Sequence, residues 1–155
     1  MWAHKGQRRQ RRNSSRAPHG SRFFLRAHVH LYRATGGLLG HWLGRQRCLL
    51  LTTTGCKTGR SHTQPLSYYQ LDGRVYVVAS NWGSDHPPAW YLNLVAQPRV
   101  SVQLKRGRRD ALASTVAPEE RVRLWPWLVA RNPIFARYQE ASAREIPVVL
   151  LRPIP

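Results

Sequence analysis

Asp72-Gly73 divides two strand-like runs, Pro65 to Leu71 and Arg74 to Ser80, and this dipeptide is the strongest short signal for a two-residue hairpin. A chain committed to that hairpin must pair or cover the outer edges of both strands. Further runs supply partners: Arg47 to Thr53 comes before, and Val100 to Leu104 and Asp110 to Val116 flank a basic Lys105-Arg-Gly-Arg-Arg tip. The continuously apolar Ile146 to Leu151 closes the series as a buried strand. Helices are expected between these strands. Pro88 opens a short one to about Ala96, with Trp90, Leu94 and Tyr91 inward. Pro118-Glu119-Glu120 opens another to about Ala130, in which Pro126 is expected to cause a kink or a split, and a third covers Ile134 to Ala143. The order gives an α+β, mainly β chain with about six mostly antiparallel strands. A small closed or split β-barrel with peripheral helices removes most exposed edges.

The chain's 155 residues, 42% apolar, suffice for one core and are too few for two ordinary domains. Residues 1–71 hold thirteen Lys and Arg and no acid, so +13 of the net +18 lies there. Any partner of this half is expected to be anionic. Residues 1–21, with Lys5, Arg8, Arg9, Arg11, Arg12 and Arg16 and almost no large apolar side chains, read as a disordered basic arm. Residues 22–155 then form one domain that begins with an amphipathic helix. Phe23, Phe24, Ala27 and Leu31 share one face of that helix and Arg22, Arg26 and Arg33 another, so the apolar face packs on the domain or lies on an acidic membrane.

Several function classes are set aside. The Phe23 to Tyr32 run is broken by Arg26, His28 and His30, which argues against a secretory leader, and no run reaches membrane-spanning length. Cys48 and Cys56 lack disulfide-framework or zinc spacing, which points to a reducing cytoplasm. His28 and His30 cannot share a ligand on one helical face, and His62 and His86 have no partner at ligand spacing, so no metal is expected. Ser84-Asp85-His86 resembles a triad only as a string. Nucleic acid is disfavoured, because the arm lacks interleaved aromatics.

The turn Gly55-Cys56-Lys57-Thr58-Gly59-Arg60 follows an apolar run and three threonines. It is not a nucleotide-triphosphate loop, since Cys56 and Leu51 stand where that motif needs glycine. Two readings remain: a backbone nest with Lys57, Arg60 and the Thr58 hydroxyl around a phosphate, or an ordinary solvated hairpin turn. A second segment, Ser80 to Asn93, carries polar groups and aromatics between a strand and a helix, where ligand contacts are common. Phe135 and Tyr138, three apart, share a face able to lid a planar ring, whereas Trp125 and Trp127 read as core.

Taken in order, Leu51-Thr-Thr-Thr-Gly-x-Lys-Thr-Gly, Pro65-Leu, Val77-Val-Ala-Ser, Pro88-Ala-Trp-Tyr-Leu-Asn-Leu, Gln97-Pro and Arg144-Glu-Ile-Pro-Val-Val resemble the deazaflavin (F420)-dependent nitroreductase family of F420H2-dependent oxidoreductases. The resemblance implies a split β-barrel of the FMN-binding, pyridoxamine-oxidase-like kind. It implies reduced coenzyme F420 (8-hydroxy-5-deazaflavin) as hydride donor, with FMN a second choice, and a quinone, nitro compound or activated alkene as acceptor. By the same resemblance Lys57 and Thr58, with Cys56, Gly59, Arg60 and His62 around them, hold the phosphate. Gln64, Pro65, Val78, Ala79, Ala89 and Asn93 line the ring system, and Ser80, Trp90, Phe135 and Tyr138 border the substrate. Tyr138, assisted by Ser80, takes the catalytic role. The chain departs from the family at Cys56 and His62, where arginine is common, at Trp82, where glycine is usual, and at Asn132 and Phe135, where tyrosines are frequent. Those positions keep open an alternative, a non-catalytic protein binding a flavin, a deazaflavin or a lipid-like ligand. The cationic arm and first helix are expected to bring the protein to acidic lipid on the inner membrane face.

Overall fold

The protein is described from a computed structural model at residues 27, 29, 30, 32, 42–43 and 46–155. The basic arm expected at 1–21 lies outside the described residues, as do Phe23, Phe24 and Leu31. From Trp42 on, seven strands and three helices follow one another among the described residues: β1 (Trp42–Leu43), β2 (Gln46–Thr54), β3 (Ser61–Leu71), β4 (Arg74–Val78), α1 (Ala89–Ala96), β5 (Arg99–Leu104), β6 (Gly107–Thr115), α2 (Pro118–Arg131), α3 (Ile134–Ala141) and β7 (Val148–Pro153). A 3-10 turn at Asn81–Gly83 lies between β4 and α1.

All strand pairs are antiparallel, in the order β2-β3-β4-β7-β6-β5, and β2 also pairs with β5, so six strands close into a barrel. Leu51 sits on the closing seam, opposite Gln64 on one side and Val102 on the other. Alternation along the strands then divides the apolar residues between two layers. Leu49, Leu51, Val77, Val100, Val102, Ala111, Ala113, Val149 and Leu151 fill the barrel, with Trp90 and Leu94 of α1 plugging one end. Tyr69, Tyr76, Val148 and Leu150 face outward against Leu124, Leu128 and Phe135 of α2 and α3. Both faces of β7 are therefore covered, which explains its unbroken apolar run.

Several boundaries differ from the sequence expectation. β3 begins at Ser61, four residues before Pro65, because its polar start pairs with Thr54 through Leu51. Gly107 already pairs with Leu104, so the basic tip is a two-residue turn with Lys105 at φ 53°. Pro126 does not split α2. Its ring and Val122, whose carbonyl loses its helical partner, both lie on the exposed face, where water can take the missing bond.

The first helix is described at residues 27, 29, 30 and 32 alone, and these show one contact with the barrel. Ala27 is exposed, whereas Val29 and Tyr32 are buried against Leu50 on the outside of β2. The Tyr32 hydroxyl accepts the Lys105 N–H at 2.8 Å and lies 3.3 Å from the Cys48 carbonyl and 3.4 Å from the Gln103 carbonyl. It thus bridges β2 and β5 across the seam. Burial pushes this phenol above its ordinary pKa, and the Lys105 N–H opposes the shift. Removing the ring leaves a cavity and unpaired backbone groups. Tyr32→Ala should therefore lower stability by about 3 kcal/mol, read from the urea midpoint. An unchanged midpoint would show that this helix is no part of the cooperative fold.

Candidate functional site

Many of the sequence-predicted site residues lie on two loops, and α1 ties the first of them to the barrel. The first loop, between β2 and β3, is a closed turn. Gly55 N–H donates to the Arg60 carbonyl at 2.8 Å, and the Thr58 and Gly59 N–H groups donate to the Gly55 carbonyl at 3.2 and 2.8 Å. A Cβ on Gly55 would stand 2.5 Å from Thr58 Oγ1 and 2.8 Å from His62 Nε2, so a larger residue there would push both side chains aside. Thr58 Oγ1 lies 3.4 Å from that His62 nitrogen and accepts the Arg60 N–H at the same distance. The Cys56 N–H donates to Asn93 Oδ1 at 3.0 Å, and Asn93 Nδ2 donates to Thr53 Oγ1 at 3.1 Å. Buried Asn93 therefore anchors the turn on the end of β2.

These bonds revise the backbone-nest expectation. The N–H groups of Gly55, Cys56, Thr58, Gly59 and Arg60 all donate within the protein. What the turn presents to solvent is side chains: Cys56, Lys57, Thr58, Arg60 and His62 are all exposed. Among the described residues the ion pairs involve Arg74, Arg99 and Arg121, so Lys57 and Arg60 keep their charge for an outside anion.

Next along β3, Gln64 is half-buried and its Nε2 is fully enclosed without a hydrogen-bond partner among the described residues. An unpaired buried donor costs about 1–3 kcal/mol, which marks a place where a ligand acceptor would be favoured. Alternation separates the predicted ring-lining residues. Gln64 shares the inward side with Leu66, whereas Pro65 points outward opposite Leu50. Ala79 and Trp90 belong to the barrel cluster, Val78 packs toward the helical layer, and Ala89 is exposed at the start of α1. Trp90 is buried edge-on to Tyr91 at 6.2 Å, so it fills the core as much as it borders a site.

The second loop leaves β4 at Val78. Ala79 N–H still donates to the Pro147 carbonyl at 2.9 Å, and Ser80 begins the turn with its hydroxyl making no cap bond. Arg144 grips this loop: Nε donates to the Ser84 carbonyl at 3.0 Å, and one Nη2 donates to the Ala79 and Ser80 carbonyls at 2.9 and 3.2 Å. Its other terminal nitrogen is buried without a partner. Burial pulls the guanidinium pKa down, and Asp85 and Tyr91 oppose that shift. Asp85 Oδ1 accepts the Ala143 N–H at 2.8 Å, and Ser84 Oγ accepts the His86 N–H at 3.3 Å, so these residues brace the loop rather than form a triad. Nothing in its local sequence distinguishes Arg144 from a solvated arginine, and only the Arg144-Glu-Ile-Pro string drew attention to it.

Tyr138 on α3 is half-buried and meets the indole of Trp82 at 6.3 Å between ring centroids. Phe135, predicted to border the substrate, instead packs inward at 5.6 Å from Tyr69 and 6.1 Å from Trp125. Asn132 is occupied as well, its Nδ2 donating to the Tyr69 hydroxyl at 3.0 Å. Among the described residues no group of His, Cys, Asp or Glu is arranged to hold a metal ion, and no helix is long and apolar enough to cross a membrane.

A profile described as F420H(2)-dependent quinone reductase matches residues 24–153. An F420H(2)-dependent quinone reductase of Mycobacterium tuberculosis is 39% identical over 132 residues, covering 82% of this chain and 88% of that protein. The solved F420-H2 dependent reductase FDR-A has 37% identity and a TM-score of 0.61, covering 68% of this chain and 93% of its own. The haem-storage protein HutZ of Vibrio cholerae, 18% identical with a TM-score of 0.53 over 84% of this chain and 91% of its own, shares the fold alone.

Because Arg144 holds three carbonyls that no strand pairs, Arg144→Gln should cost about 2 kcal/mol. It should also speed hydrogen exchange at the Gly83 and Ser84 amides. Unaltered exchange at those two amides would show that the loop does not depend on this guanidinium.

Proposed function

The chain belongs to the F420H(2)-dependent quinone reductase family, and from that membership we propose that it is an oxidoreductase using the reduced deazaflavin coenzyme F420 to reduce a quinone. The observation that carries the reading is the pairing of uncommitted cations with an orphaned donor. Lys57 and Arg60 stand exposed on a glycine-closed turn, and Gln64 holds a buried unpaired amide just beyond them. A ligand with an anionic end and a polar planar ring satisfies both, so the residues fit this coenzyme; FMN, with a single phosphate, uses less of the charge.

When bound, the reduced coenzyme supplies a hydride. The chain's own residues do the rest. Lys57 and Arg60 hold the phosphate with the Thr58 hydroxyl, while Cys56, Gly59 and His62 shape the turn around it. Gln64 and Asn93 orient the ring, and Pro65, Val78, Ala79 and Ala89 provide apolar wall. Trp90 and Phe135 back that wall from the core. Tyr138, with Ser80 beside the same loop, donates a hydrogen bond to the oxygen of the acceptor as negative charge develops there. The quinone takes up the hydride and one proton from solvent to become the hydroquinone. Nitro compounds and activated alkenes are electron-poor in the same sense and fall within the acceptor class.

Quinones of respiratory membranes are lipid-soluble, which gives the basic character of the chain a use. The net charge of +18 draws the protein from the cytoplasm to the acidic inner face of the membrane, where the acceptor is dissolved. Flotation with vesicles containing phosphatidylglycerol should carry the protein at low salt and release it at high salt. Failure to float at low salt removes the membrane from this account.

The catalytic reading is checked by titrating pure protein with the coenzyme and then mixing the reduced form anaerobically with 2-methyl-1,4-naphthoquinone. Lys57→Ala should weaken coenzyme binding about tenfold. Tyr138→Phe should leave binding unchanged and lower kcat about tenfold to a hundredfold. Binding without oxidation of the reduced coenzyme would favour a sequestering protein, for which the loss of permanent charge at Cys56 and His62 already argues.

A further inference from the structure

Asn81, Trp82 and Gly83 have consecutive positive φ values of 45, 57 and 77°. Left-handed backbone is cheap for glycine and tolerated by asparagine, but a tryptophan Cβ crowds the carbonyl that follows it. No burial offsets that strain, because the Trp82 side chain is 83% exposed. The conformation is imposed from outside. Asn81 Nδ2 donates to the His86 carbonyl at 2.8 Å, Gly83 N–H donates to the Ser80 carbonyl at 3.0 Å, and Arg144 holds the carbonyls on both sides. A Cβ on Gly83 would stand 3.1 Å from Tyr138 backbone atoms, so the turn sits flush on α3 only because glycine is there. The protein thus maintains a strained turn whose effect is to hold a large aromatic ring in solvent. Strain kept in this way is characteristic of ligand contacts.

The position of the ring points to its ligand. Its plane stands at 77° to that of Tyr138, so the two aromatics form a corner and leave the indole open to a flat partner. Indole is electron-rich and a quinone electron-poor, a favourable pair for offset stacking. We propose that Trp82 is the acceptor platform, on which the quinone ring stacks with a carbonyl oxygen turned toward the Tyr138 hydroxyl. The proposal rests on the quinone-reductase reading and names the residue that recognises the acceptor. It assigns acceptor selectivity to ring area: flat bicyclic quinones bind better than benzoquinones or small nitro compounds.

Trp82→Phe, Trp82→Leu and Trp82→Gly test it with 2-methyl-1,4-naphthoquinone. At saturating reduced coenzyme, KM should rise about tenfold in the Leu and Gly variants and less than about threefold in Phe, with kcat within about twofold. Without coenzyme, the quinone should quench tryptophan fluorescence saturably in the wild-type chain, and Trp82→Phe should lose that component. The Gly variant should melt no lower than wild type, since glycine relieves the strain. Unchanged or lowered KM in both the Leu and Gly variants, or a quench that survives Trp82→Phe, overturns the proposal. The quench also separates it from the underlying reading: absent coenzyme binding defeats the reductase account, yet a Trp82-dependent quench would still establish the platform.

Discussion

Closure of β2 onto β5 is the interaction on which the remaining structure depends. Without it both strands would expose a row of unpaired N–H and C=O groups, and Leu51, Val100 and Val102 would face water instead of one another. The seam is strapped from outside by Tyr32, whose hydroxyl reaches backbone groups of both strands. The seam also sets the position of the cationic turn. Pairing of β2 with β5 stops at Thr52 while pairing with β3 continues to Thr54, so Cys56 through Arg60 project beyond the barrel rim with solvent around them.

Polar side chains hold what strand ladders cannot. Asn93 fixes one loop by two hydrogen bonds, and Arg144 fixes the other through three backbone carbonyls. Such bonds are made in partly buried surroundings, where they gain strength from the low local dielectric. The same surroundings make leftover donors costly, and the enclosed nitrogens of Gln64 and Arg144 are the two such groups among the described residues. Gln64 is beside the cationic turn and Arg144 beneath the Trp82 turn. Both loops therefore combine rigid support with a buried donor that has no hydrogen-bond partner among the described residues.

The charge distribution acts at longer range than either loop. Thirteen cations and no acid in residues 1–71 create a field that favours anionic partners before any contact forms. Among the described residues its cost to folding is limited, because Arg47, Lys57 and Arg60 are all exposed. Where an arginine is drawn inward, as at Arg121, it has Glu145, Gln139 and the Trp125 ring as neighbours.

The Asp72-Gly73 hairpin, the alternating runs and the doubly covered final strand were legible in the sequence, because periodicity and turn chemistry are local and the backbone obeys them wherever the chain goes. So were the glycine-closed turn and its free cations, since Lys57 and Arg60 have no acid nearby in sequence. Tertiary contacts decided the rest. Burial of Tyr32 depended on backbone groups of β2 and β5 that its hydroxyl reaches across the seam. Phe135 went to the core because Tyr69, far away in sequence, offered its ring. Lastly, the turn amides were consumed by Asn93 and by one another, and Trp82 was held in a left-handed turn by Arg144 and α3. Each of these depends on which distant groups the closed barrel brings within hydrogen-bonding or van der Waals distance, and pairing across a seam leaves no trace in local composition.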